Sequence, residues 1–142
     1  MVYKDMGERS YATGDTIIRE GEMGTEMFII QEGKVGVTKK IGDNEVFLAT
    51  LGRGDFFGEM SLLESQPRTA TVRALAPTKL VTIRAGELLM KFRRDPTFAF
   101  EMLQRMSGRV RQLNDQVVQL MQHDQVTRED LRRLSLRMEF PG

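Results

Sequence analysis

At 142 residues, with 21 basic and 20 acidic side chains and a net charge of +1, the chain has room for one compact domain plus an extended element and carries no electrostatic footprint for nucleic acid. It holds no cysteine, which excludes a disulfide framework and thiolate catalysis, and its one histidine, His123, far out on a predicted helix, suits neither a metal-dependent barrel, which needs two or three, nor a triad, which needs one beside the nucleophile. No apolar run approaches the roughly 18 residues of a spanning helix and no charged-then-apolar leader opens the chain, so a cytoplasmic protein without a metal or a membrane partner is expected.

In chain order, "SYAT" from Ser10 reads as a strand ended by the turn signal Gly14-Asp15. "TIIRE" follows and closes at Gly21, then "EMFIIQ", which closes at Glu32-Gly33. "KVGVTKKI" meets the turn Gly42 to Asn44, and "EVFLATL" runs up to "GRGD". The stretch "FFGEMSLLESQPRTATV", Phe56 to Val72, interrupts this pattern with one helical turn. "TATVRAL" and "KLVTIR" complete the strands, with Ala76-Pro77 as the turn between them. Short strands spaced about ten residues apart by glycine turns predict a small antiparallel sandwich or barrel, mainly β in an α+β chain.

The period then changes. "GELLMKFRRD" predicts a short helix that stops before Pro96, and Pro96 with Asp95 as its cap suits the start of another. Leu103, Met106, Val110, Leu113, Val117 and Leu120 recur at alternating steps of three and four, a heptad seam. In the same register come Asp124 and Thr127, then Leu131, Leu134 and Met138. The polar pair predicts a break, with Thr127 and Asp130 at capping-box spacing for a separate last helix. The stripe either packs on the chain's own barrel or pairs with a second copy. Its length of about thirty-five residues, roughly 50 Å at helical rise, exceeds what so small a barrel can cover, which favours a homodimer. The expected division is 1–95, a β-roll with a hinge helix, and 96–138, a long lid and dimerisation helix broken near 124–127. His123 falls on that helix and is expected to be solvated.

The chemistry concentrates in the interrupted stretch. Gly58 lets the backbone approach closely, and the early N–H groups of a turn starting there, at Met60 and Ser61, suit an anion such as a phosphate. Arg68 adds a permanent charge with a planar donor fork, and Pro67 stiffens the chain beside it. Thr69, Ala70 and Thr71 keep the following strand slim. Glu59 would repel a phosphate but would accept from a sugar hydroxyl. Two readings stay open: Glu59 and Arg68 pair with each other across the turn, or they hold the hydroxyl and the phosphate of one nucleotide.

"FGEMSLLESQPRTATV" closely resembles the phosphate-binding cassette of cyclic nucleotide-binding domains, and "GDTIIREGEMGTEMFIIQEGKVGV" is similar to that family's strand–turn segments. The resemblance spans about Ser10 to Gln122. It implies an eight-stranded antiparallel β-roll, jelly-roll-like, with a short cassette helix, a hinge helix and a long C-terminal helix, and it implies cAMP or cGMP as the ligand. Carried onto this sequence, Glu59 meets the ribose 2′-OH, while Arg68 and the backbone at Met60 and Ser61 hold the cyclic phosphate. Gly58 allows the turn, and Thr69 and Ala70 line the phosphate and base side. Val37 and Leu48 are walls for the purine. Thr69 is compatible with cGMP as well as cAMP, with cAMP expected as the primary ligand.

The long helix resembles the dimer helix of catabolite activator proteins, in which two polar residues touch the adenine. The matching positions are about Leu113, a departure, and Asn114, which either reaches a base edge or is a solvated helix residue. Little helical sequence precedes Ser10 and no winged-helix pattern follows Met138, so no nucleic-acid partner is expected. The leading reading is a non-enzymatic cyclic nucleotide sensor signalling to an unknown effector protein. The alternatives are a ligand-free dimeric interaction module, or the sensor fragment of a channel or transcription regulator. An enzyme is disfavoured because Glu59 has no histidine or metal-ligand cluster near it in sequence.

Overall fold

The computed structural model describes residues 6–123 and 132–133. Eight strands are present among them: β1 (Gly7–Tyr11), β2 (Thr16–Ile18), β3 (Glu26–Glu32), β4 (Lys34–Ile41), β5 (Asn44–Gly52), β6 (Phe56–Phe57), β7 (Thr71–Ala74) and β8 (Thr78–Arg84). They form two four-stranded sheets, ordered β1-β8-β3-β6 and β2-β7-β4-β5, with antiparallel pairing throughout. The helices among the described residues include α1 (Glu59–Glu64), α2 (Ala85–Arg94) and α3 (Pro96–His123). The antiparallel roll with cassette, hinge and long C-terminal helices is therefore the architecture observed.

The core lies between the sheets, where Phe28, Ile30, Phe57 and Leu80 of the first meet Val35 and Val72 of the second. Tyr11, Ile17, Ile18, Val37 and Leu51 pack around them. Met27, Ile29, Phe56, Val81 and Ile83, on the opposite face of the first sheet by strand alternation, are buried too. Two buried faces explain why β3 and β8 read as near-continuous apolar runs.

Several boundaries differ from the sequence expectation for local reasons. β1 starts at Gly7 rather than Ser10, because pairing with β8 runs from Gly7↔Thr82 to Tyr11↔Thr78. The strand stops at Tyr11 because the Asp15 carboxylate accepts from the Ala12 N–H at 2.8 Å and turns the chain. β6, two residues long, lies inside the cassette stretch that begins at Phe56. It exists through Phe28↔Phe57 and Ile29↔Phe56. β7 begins only at Thr71, since the main chain of Arg68 is bonded elsewhere, as described below. Asp95 closes α2, its N–H donating to the Lys91 carbonyl and its carboxylate lying 3.5 Å from Lys91 Nζ.

The chain divides into two compact units, Met1–Pro96 and Thr97–Gly142. α3 has 28 residues, and from Thr97 onward they belong to the second unit. The expected break at 124–127 and the apolar positions Leu131, Leu134 and Met138 lie outside the described residues.

Candidate functional site at the α1 turn

β6 delivers the chain to Gly58, which caps α1 with φ 81° and ψ 6°, a left-handed conformation that a side chain disfavours. α1 ends at Ser65, also left-handed at φ 55°. Glu59 opens the helix, Met60 is exposed and Ser61 is buried. The segment after α1 carries Arg68, and it is fixed by the turn following β2. The Gly21 N–H donates to the Arg68 carbonyl and the Arg68 N–H to the Glu22 carbonyl, both at 2.8 Å. The Glu20 N–H donates to Thr71 Oγ1 at 3.0 Å, so the segment is held at both ends.

Arg68 is only 6% exposed. Its Nη1 donates to the Gly58 carbonyl at 3.0 Å, and its Cζ lies 5.7 Å from the centroid of the Phe28 ring. Phe28 is itself stacked on Phe57 at 5.1 Å. Burial pulls the guanidinium below its ordinary pKa, opposed by the fields of Glu26 and Glu59. Its hydrogen-bond partner is thus a main-chain oxygen beside α1, with Glu59 acting through its field.

Thr69 donates weakly to Met60 Sδ at 4.0 Å. Lys39 Nζ donates to the Thr69 carbonyl at 2.8 Å, a contact sequence reasoning missed because β4 and the cassette are 30 residues apart. The Lys40 N–H donates to Glu20 Oε1 at 2.9 Å and ties the same strand to the turn that pins Arg68. Gly58, Met60, Arg68 and Thr69 are therefore linked around one turn, with Glu59 and Ser61 on α1 and Ala70 next to Thr69 in the chain.

The base-side positions divide. Val37 pairs with Val72 and Ala49 and packs against the core cluster. Leu48 sits at a β-bulge: Thr38 pairs with Phe47 and Val37 with Ala49, leaving Leu48 without a residue opposite. Leu48 is exposed. Asn114 and Leu113 lie on α3 in the second unit, both exposed. Among the described residues no group of three or more His, Asp or Glu side chains could hold a metal ion, and no helix is long and apolar enough to cross a membrane.

Residues 8–95 match the family model described as "Cyclic nucleotide-binding domain". The chain is 43% identical over 76 residues to a cAMP-dependent protein kinase regulatory subunit of Mycosarcoma maydis, a match covering 54% of this chain and 14% of that protein. It is 46% identical over 70 residues to cGMP-dependent protein kinase, isozyme 1, of Drosophila melanogaster, covering 47% and 9%. Among solved structures, the catabolite activator protein of Thermus thermophilus superposes with a TM-score of 0.71 at 31% identity, over 82% of this chain and 55% of that one. The chain thus spans a small part of these kinase relatives and about half of the bacterial regulator.

Proposed function

The chain belongs to the cyclic nucleotide-binding domain family, and from that premise we propose that it is a non-enzymatic sensor that binds cAMP as its primary ligand and accepts cGMP. Glu59 takes the ribose 2′-OH. Arg68 and the N–H groups of Met60 and Ser61 hold the cyclic phosphate, Gly58 admits the backbone turn, and Thr69 and Ala70 line the phosphate and base side. Val37 is the better-supported purine wall, because it lies against the core while Leu48 sits at the bulge. Relatives named for cAMP and for cGMP support either purine.

The observation that carries this reading is the burial of Arg68. A guanidinium removed from water and bonded to one carbonyl beside a helix start costs desolvation, and a phosphate would offset that cost with charge-assisted bonds. Signalling follows if the nucleotide binds one arrangement of α2 and α3 more tightly than another. The exposed seam of α3 supports a homodimer as the sensor's assembled form.

Calorimetric titration of cAMP and cGMP, in competition and separately, tests the reading. Arg68→Ala should weaken binding about 10- to 100-fold, the scale of one or two charge-assisted bonds. Equal affinities for the two proteins would remove the phosphate role. If wild type binds neither nucleotide at millimolar concentration while still dimerising, the chain is a ligand-free interaction module.

A further inference from the structure

Two glycines flank the Arg68 guanidinium, and they are there for different reasons. Gly58 has φ 81°, so its backbone alone accounts for it. Gly24, in the loop between β2 and β3, has a φ outside the left-handed region. Its φ does not call for glycine, whereas the space around its Cβ position does. A Cβ at position 24 would lie 2.5 Å from Cζ and Nε of Arg68 and nearer still to Nη2. Real Cβ atoms do not approach so closely, so one partner must move.

The direction of that movement is set by what holds Arg68. Its main chain is fixed by Gly21 and Glu22. The guanidinium is the flexible end, held by one bond to the Gly58 carbonyl and by the Phe28 ring. A side chain at 24 would therefore leave the fold standing and displace the guanidinium from the α1 turn.

We propose that Gly24 is a positioning residue of the nucleotide site: its missing side chain forms the seat on which the Arg68 guanidinium lies. The role in binding rests on the function proposed above, whereas the seat itself does not. Arg68→Ala removes the group that would be displaced, so the two positions should be coupled.

The test uses Gly24→Ala in the wild-type and Arg68→Ala backgrounds, with Gly52→Ala as a control. Gly52 has open space around its Cβ position and a φ outside the left-handed region. In ¹⁵N-labelled protein without nucleotide, the Arg68 Nε–Hε resonance should move in Gly24→Ala, as the guanidinium leaves the Phe28 ring, and stay in place in Gly52→Ala. By calorimetry, Gly24→Ala should weaken cAMP binding about tenfold or more when Arg68 is present and less than about twofold when it is not. An unmoved Arg68 resonance overturns the seat. Equal losses in both backgrounds, or no loss despite a moved resonance, overturn the positioning role. If wild type binds no nucleotide, the proposed function falls, and a moved resonance still supports the seat.

Discussion

At the level of single residues, the question left open by the sequence was whether Glu59 and Arg68 answer each other or a ligand. Arg68 Nη1 donates to the Gly58 carbonyl, and the field of Glu59 opposes the lowering of the guanidinium's pKa by burial. A carboxylate at the helix start beside a buried guanidinium can then accept from a hydroxyl without competing with a phosphate. If it does so, wild type should bind cAMP about tenfold or more tightly than 2′-deoxy-cAMP, the scale of a hydrogen bond to a charged group. Glu59→Ala should bind the two alike. Competition titrations of both nucleotides against both proteins check this, and no preference in wild type would strike Glu59 from the site.

At the level of elements, the roll was largely legible because glycine turns set the strands apart: β4 spans the stretch read as "KVGVTKKI", and β3 and β5 fall within a residue or so of expectation. The illegible parts depend on distant partners. β6 is two phenylalanines made into a strand only by β3, and the bulge at Leu48 leaves no mark in composition. Lys39, Gly24 and the turn at Gly21 reach the cassette through contacts that no local spacing records. The β4–β5 hairpin shows a further such device. Glu45 Oε1 accepts from Thr38 Oγ1 at 2.6 Å and from Arg73 Nη1, linking β5 and β4 to β7. The Thr38 hydroxyl first, and Arg73 next, hold the Glu45 carboxyl below its ordinary value of 4.5. A depressed acid stabilises the fold while ionised: its contribution is complete above about pH 4.5 and fades as pH falls through the lower folded value. The group is exposed, so the effect is small. Thermal melts between pH 6 and pH 3 should show wild type more stable than Glu45→Gln at the upper end, with the gap closing towards the lower. A gap independent of pH would mean that the charge of Glu45 contributes nothing.

At the level of the whole molecule, α3 sets a constraint that the roll does not. Its 28 residues extend about 42 Å at helical rise. Along it, Leu103, Val110, Leu113, Val117 and Leu120 are between 38% and 63% exposed, while Met106 is half-buried. Scattered apolar residues at a surface need no explanation, but a continuous stripe at heptad steps does. Those steps are what a second copy of the same helix would present, since a two-fold interface is built from one self-complementary patch. The dimer proposed here should therefore depend on the middle of the stripe. In light scattering at tens of micromolar, wild type should have twice the chain mass and Leu113→Glu the mass of a single chain. Leu113 is 60% exposed, so the substitution should leave the melting of the roll unchanged within a few degrees. A wild type with the mass of one chain, with and without nucleotide, would remove the second copy as the stripe's partner. A Leu113→Glu variant that stays dimeric would move the interface off α3.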